Sequence, residues 1–473
     1  MSRGKTAFER LRPRDSVVEH SLARTRTAPF WLDEIGDKQQ YPTLTAGAEA
    51  DLAIVGGGYC GLWTAVRAKL RRPEQRVVLL EAQTVGWAAS GRNGGFCDAS
   101  LTHGDANGRS RWPDENETLV KLGLANLDEI ETAVRELGID CQFERTGTLD
   151  VATEPHQVEW LQDETSGEFL DTDAIRAEVS SPTYLAGRWH RETAALVHPA
   201  LLAKELARVA NELGVEIFEH TAVEGLRADG RNGPVALSTS QARVRASRVA
   251  LATNVFPSLL KRYRLHTVPV YDYVLMTEPL SDAQLASLGW RNRQGISDVA
   301  NQFHYYRLSQ DNRILWGGYD AVYHFGRRVK AEYDRRPQTH RRLASHFFST
   351  FPQLEGLEFT HQWAGAIDTS TRFCPFFATA MNGRVAHVSG FTGLGVGSTR
   401  FAANVLLDLL SGQETERTRL RMVREKPKPF PPEPIAVLGI NATRWSLDRA
   451  DHRQGRRNAF LRTLDAAGLG FDS

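Results

Sequence analysis

Short apolar blocks alternate with glycine-rich breaks along this chain. Asp51 to Val55 (DLAIV) is apolar until it stops at Gly56-Gly57-Gly58, the pattern of a buried parallel strand. Gly61 to Arg72 has helical spacing through Leu62, Ala65, Val66 and Leu70, and stops before Pro73. Arg76 to Leu80 (RVVLL) reads as a second buried strand, so strand, glycine turn, helix and strand form a βαβ unit. Helices are predicted over 120–137, closed by Gly138, and over 201–213, closed by Gly214. Strands are predicted at 215–219 and 248–252.

Between about 265 and 320 the pattern changes. Val268 to Thr277 and Phe303 to Leu308 are rich in Tyr, Val and His and alternate in polarity, and a turn at 309–312 leads to a return strand at 313–316. A strand at 384–389 runs into a glycine cluster, and a helix follows over 401–410. Residues 1 to about 45 lack a sustained period and contain Pro13, Pro29 and Pro42, which predicts an extended arm with one short helix. The tail from Lys426 is Pro-rich, then mostly polar and basic. Parallel-type blocks thus flank antiparallel ones. The predicted class is α/β with α+β: a Rossmann-like domain assembled from separated segments, with an inserted antiparallel-sheet domain.

Gly56-Gly57-Gly58-Tyr59-Cys60-Gly61 fits GxGxxG in the context that gives the motif meaning, after a strand and opening a helix. The first glycine permits the tight turn, the second lets a pyrophosphate approach the backbone, and the third lets helix pack on strand. The helix N-terminus then presents free N–H groups and partial positive charge to phosphates. Glu81 ends the second strand twenty residues after Gly61, where an acid binds ribose hydroxyls. This loop alone leaves FAD and NAD open.

Composition narrows the class. The 473 residues are 41% hydrophobic and 24% charged, ordinary for a soluble globular chain of two or three domains. Lys+Arg (58) and Asp+Glu (57) nearly cancel, so no strong field draws nucleic acid or an acidic membrane. No apolar run approaches the ~18 residues of a transmembrane helix. Cys60, Cys97, Cys141 and Cys374 form no CxxC pair, which argues against a disulfide scaffold or a thiolate zinc site, and no metal is expected. The first residues carry Arg and Lys without an apolar stretch behind them, so a cytoplasmic protein is expected. Neither a GxSxG elbow nor HExxH is present, which removes the usual hydrolase readings.

A second small-residue loop follows Glu81: Gly86-Trp87-Ala88-Ala89-Ser90-Gly91-Arg92-Asn93-Gly94-Gly95. It can pass close under a cofactor, and Ser90, Arg92 and Asn93 carry donors for a phosphate or a ring edge. GGGYCGL, Glu81 and AASGRNGG together resemble the FAD-dependent D-amino-acid oxidase superfamily, nearest to its γ-glutamylputrescine oxidase and glycine oxidase-like branch. The resemblance runs from about residue 30 to 412 and takes in His198-Pro199, 219–223, 250–254, 277–280, 312–318, 363–365 and 390–395.

The resemblance implies bound FAD. It assigns the cofactor to Gly56, Gly58, Tyr59, Cys60, Gly61, Glu81 and Ala82, and to Ala89, Ser90, Gly91, Arg92, Asn93, Gly94 and Gly95 of the second loop. Val223, Ala252, Thr253 and Asn254 follow, then Trp363, Gly365, Gly390, Thr392, Gly393, Leu394 and Gly395. It implies an FAD domain at 46–103, 191–258 and 356–412 and a substrate domain at 104–190 and 259–355, with the arm at 1–45 and the tail at 413–473. Leu394 stands where many relatives place a His, and Cys374 lies too near Gly390 to match the branch that bonds flavin through Cys, so noncovalent FAD is expected.

The implied reaction oxidises a primary or secondary amine (an amino acid, polyamine conjugate or aminophosphonate) to an imine by hydride transfer to flavin N5. Oxygen or another acceptor then takes the electrons, with oxygen giving hydrogen peroxide. Alternation places His304 and Tyr306 on one face of their strand and Tyr305 and Arg307 on the other. His304, Tyr306 and Tyr271 are candidates to cover the flavin, or else core aromatics. Arg372 is a candidate clamp for an anionic substrate group, or a salt-bridge partner, and His103 either approaches the ring or sits solvated in its loop. A flavin monooxygenase and a non-catalytic flavoprotein scaffold are the alternatives.

Overall fold

The computed structural model describes residues 4–36 and 40–470. Strands Ala48–Val55 and Val77–Leu80 pair in parallel around helix Tyr59–Arg71, so the βαβ unit forms as the pattern requires. Glu216–Phe218 extends the sheet in parallel beyond Val77–Leu80. On the other side lies Arg243–Leu251, whose two halves have different neighbours. Its first half pairs with the hairpin strand Val235–Ser238, and its second half with Val385–Ser389. Helices Tyr59–Arg71, Pro199–Glu212 and Gly395–Ser411 cover one face, where Leu62, Val66, Leu206, Phe401 and Val405 share a core with Leu52 and Ile54.

A ten-stranded sheet forms the second unit among the described residues. Its spine is the antiparallel pair Thr267–Thr277 and Phe359–Ser370, flanked by Ile314–Gly318 and His304–Leu308. Helix Pro337–Thr350 packs Leu343 and Phe347 against Tyr273, Leu275, Trp316 and Tyr306.

Three expectations change. Phe359–Ser370, expected within the cofactor-binding segment 356–412, is a long strand of the second sheet, in register from Thr267↔Ser370 to Met276↔His361 with a bulge before Thr277↔Phe359. The arm is docked and carries three helices, Ala7–Arg10, Asp15–Leu22 and Phe30–Ile35, and Arg26–Thr27 pairs with His361–Gln362. Each helix is too short to display a sustained 3.6-residue period. The tail is not merely polar: it folds into helices Ile435–Asp451 and Ala459–Ala466. Residues 1–3, 37–39 and 471–473 of the arm and tail lie outside the described residues.

Candidate functional site

A cavity of about 2160 Å³ is lined by residues of both sheets. Its parallel-sheet end begins at the glycine loop. Gly56 has φ +112°, and a Cβ there would lie 2.4 Å from the Ala252 carbonyl oxygen. At Gly61 a Cβ would lie 1.9 Å from the Gly56 oxygen. Only glycine lets helix Tyr59–Arg71 start this close to the strands, and its first turn carries no acidic residue to cancel the N-terminal charge. Gly58, Tyr59, Cys60, Glu81 and Ala82 line the cavity, whereas Gly61 serves the helix–strand contact.

Glu81 is 7% exposed. Its carboxylate accepts from the Gly57 N–H at 2.6 Å, the Gln83 N–H at 2.8 Å and Trp87 Nε1 at 2.9 Å. Burial pushes this carboxyl above its ordinary range, against the pull of those donors. A carboxylate has roughly four acceptor positions, so one remains for a ribose hydroxyl.

The second loop braces itself. Ser90 Oγ accepts from the Tyr59 N–H at 3.0 Å, and Asn93 Nδ2 donates to the Ala89 and Ser90 carbonyls. Arg92 donates to the Trp87 carbonyl and pairs with Asp334 at 2.6 Å. The Asn93 amide donors and the Arg92 Nε and Nη1 donors are therefore spent on holding the loop's shape, whereas the Ser90 hydroxyl acts there as an acceptor and keeps its own O–H. Ala89, Ser90, Arg92, Asn93 and Gly94 still line the cavity. Gly91 and Gly95 do not: a Cβ at each would strike the Gly86 and Val197 oxygens, so both are packing glycines.

Val223, Ala252, Thr253, Asn254, Gly365, Thr392, Gly393, Leu394 and Gly395 line the cavity as expected. The Thr253 hydroxyl is buried with no protein partner. The turn before helix Gly395–Ser411 is fixed by Asp368, whose carboxylate accepts from the Gly390, Phe391 and Thr392 N–H groups. Gly390 and Trp363 stand behind the lining; Trp363 donates to the Arg92 carbonyl at 2.8 Å. A glycine cradle, a buried acid with a spare acceptor position and an orphaned hydroxyl suit a dinucleotide such as FAD.

On the second sheet the alternation holds, but the face carrying His304 and Tyr306 is not the one that meets the cavity. His304 is fully buried between Asp298 (Nδ1 to Oδ2, 2.7 Å) and His346 (3.0 Å). Tyr306 bonds the Tyr184 hydroxyl at 2.6 Å and stacks on Trp316. Neither lines the cavity, because that face packs on helix Pro337–Thr350. The opposite face presents Tyr305 to the cavity, bonded through its hydroxyl to Asp272. Tyr271 and His103 do line the cavity. Tyr271 accepts from the Lys330 N–H, and burial holds the His103 imidazole below its ordinary range. The sequence reading missed Tyr305 as a site residue, Asp272, and the tail: Phe430, Ala436, Ile440 and Leu447 are among its residues in the cavity wall.

Arg372 is 4% exposed, outside the cavity, and holds the tail. Its guanidinium donates to the carbonyls of Pro375, Met422 (2.8 Å) and Glu425 (3.1 Å). Arg372→Ala leaves these acceptors unpaired and is expected to destabilise the protein by about 3 kcal/mol, read as a lower Tm. A tenfold or larger rise in KM at unchanged Tm returns Arg372 to the substrate.

The fold and this cavity define an FAD-binding oxidoreductase. The family described as DAO, FAD dependent oxidoreductase, matches residues 51–409, and the chain belongs to it. FAD is its cofactor. It is 29% identical over 402 residues to gamma-glutamylputrescine oxidoreductase of Escherichia coli, covering 82% of this chain and 89% of that protein. It is 26% identical over 400 residues to the probable oxidoreductase OrdL of Haemophilus influenzae, covering 81% and 88%. Among solved structures, glycine oxidase from Bacillus cereus superposes with TM-score 0.63 at 20% identity, over 80% of this chain and 99% of that one. No helix among the described residues is long and apolar enough to cross a membrane.

Proposed function

We propose that this chain oxidises a primary or secondary amine to an imine, which water hydrolyses to a carbonyl compound and ammonia or a smaller amine. One observation carries the reading: a single cavity runs from the glycine loop and Glu81 to Tyr271, Asp272 and Tyr305 of the second sheet. FAD, when bound, supplies the two-electron oxidation by accepting a hydride from the carbon next to nitrogen. The chain's own part is to hold the cofactor and shape the rest. Glu81 fixes a ribose, the N-terminus of helix Tyr59–Arg71 faces phosphate, and the turn at 392–395 opens helix Gly395–Ser411 toward the ligand. The strands and the apolar tail residues enclose the substrate and keep water out. Oxygen is the proposed acceptor, giving hydrogen peroxide, and the protein is proposed to work in the cytoplasm. Noncovalent FAD is part of the proposal and is supported by the cysteines: Cys374 is outside the cavity, and burial pushes the Cys60 thiol up.

The test is an anaerobic panel of amines, amino acids and aminophosphonates, followed by bleaching of the visible flavin band. An amine is expected to bleach it and air to restore it with peroxide release. Acid precipitation is expected to leave the yellow colour in the supernatant. Bleaching by NADPH alone makes the protein a monooxygenase, and yellow pellets make the attachment covalent.

A further inference from the structure

We infer that Asp272 and Tyr305 form the subsite that binds the substrate's ammonium group and takes its proton. The inference rests on the amine reading above. Asp272 lies on Thr267–Thr277 and Tyr305 on His304–Leu308, with Ile314–Gly318 between them. The phenol reaches across that strand because two positions have no side chain. A Cβ at Gly317 would stand 2.7 Å from the Tyr305 hydroxyl oxygen, and a Cβ at Gly94 would stand 2.7 Å from its ring. Tyr305 is thereby clamped between the second cofactor loop and the sheet, with Phe96 edge-on at 5.8 Å. Its hydroxyl donates to Asp272 Oδ2, and the Tyr273 N–H donates to Oδ1 at 2.9 Å.

Asp272 is only partly covered and lines the cavity. Asp368, by contrast, is 1% exposed and spends its carboxylate on backbone N–H groups. A cation fits the Asp272 position because the carboxylate keeps an acceptor position after its protein donors are counted. A cationic amine must also lose a proton before its neighbouring carbon can give up a hydride. The step balances as ammonium plus carboxylate giving amine plus carboxylic acid.

Burial pushes the Asp272 carboxyl up to about 6, while bonds from Tyr305 and the N–H groups of Tyr273 and Gly318 oppose the rise. The groups facing it are Tyr305 from His304–Leu308, the Gly318 backbone, and Gly365 on the paired strand, which carries no charge. The carboxyl is protonated and unable to bind a cation below about 6, and ionised above, so amine binding and flavin bleaching rise with pH through that value.

The experiment uses the holoenzyme, with anaerobic bleaching by the panel amines measured against pH. A second probe is n-butyltrimethylammonium, a permanent cation with no proton to give, titrated by perturbation of the oxidised flavin spectrum. Asp272→Asn is expected to slow bleaching by about a hundredfold, abolish the acid limb, and weaken the permanent cation by about tenfold. Its FAD content and its reduction by dithionite stay as in the parent. Tyr305→Phe removes a donor that stabilises the ionised carboxylate, so its acid limb moves to higher pH. An acid limb and cation affinity unchanged in Asp272→Asn overturn the assignment. If no amine bleaches the parent, the amine reading falls and the permanent cation decides the subsite: binding lost in Asp272→Asn keeps it, and binding absent or unaffected removes it. If Asp272→Asn does not fold, the limb of Tyr305→Phe decides, and an unmoved limb overturns the pair.

Discussion

Replacing Glu81 with alanine is expected to raise the dissociation constant of FAD by about a hundredfold or more. A charge-assisted hydrogen bond contributes roughly 1.5–3 kcal/mol, and each 1.4 kcal/mol is tenfold in affinity. The carboxylate acts twice in this site. On the proposed reading it offers an acceptor to the ribose, and it also holds the Gly57 N–H, the Gln83 N–H and Trp87 Nε1 in place. Alanine removes the ribose partner and leaves three donors without an acceptor in a buried place. The apoprotein is therefore expected to lose stability as well, by about 2–3 kcal/mol. Glutamine does not restore the site, because its amide turns a donor toward one of those three donors. Fluorescence titration of apoprotein with FAD measures the first effect and thermal unfolding of apoprotein the second. An unchanged FAD dissociation constant removes Glu81 from the cofactor site.

The βαβ unit was legible because its information is local. Glycine spacing, an apolar strand of the right length and an acid twenty residues on are constraints within one short stretch, and Gly56, Gly61 and Glu81 each meet one of them in the structure. The substrate side was legible only to the level of faces. Alternation separates His304 and Tyr306 from Tyr305 and Arg307 correctly, but nothing along the strand says which face meets helix Pro337–Thr350 and which meets the cavity. That choice is made by Leu343 and Phe347, some forty residues later in the chain. A similar limit explains Arg372. Its carbonyl partners at Met422 and Glu425 carry no signature in their side chains, so the sequence shows a lone cation where the structure shows a tether. Arg92 and Asn93 read as ligand donors because a chain shows which groups exist and not which are already paired.

Releasing the tail is expected to impair substrate handling while leaving FAD in place. The family match ends at residue 409, yet Phe430, Ala436, Ile440, Leu447, Phe460 and Leu464 all line the cavity. Helix Ile435–Asp451 is tied to the second sheet at its last residue. Asp451 Oδ1 accepts from the Asn301 N–H at 3.0 Å and Asn301 Nδ2 at 2.7 Å, and Oδ2 accepts from the Gln302 N–H at 3.1 Å. Asn301 and Gln302 are themselves in the cavity wall. The tail has other anchors nearer its start: the Phe430 N–H donates to the Leu265 carbonyl at 2.7 Å, and Glu433 accepts from the Gly326 N–H at 3.1 Å. Asp451→Ala thus loosens the far end of the helix, where the His452 carbonyl still accepts from the Gly4 N–H at 3.2 Å, and not the whole tail. Losing three bonds to a carboxylate is expected to cost about 3 kcal/mol, roughly a hundredfold in the opening equilibrium of that end. KM for the amine is expected to rise about tenfold or more, and the tail is expected to become sensitive to trypsin, with FAD content unchanged because Glu81 and the glycine loop are untouched. Asp451→Asn keeps one acceptor oxygen and is expected to fall between the two. Trypsin cleavage with an unchanged KM takes the tail out of the substrate's path, and loss of FAD on opening makes it a cofactor cover instead.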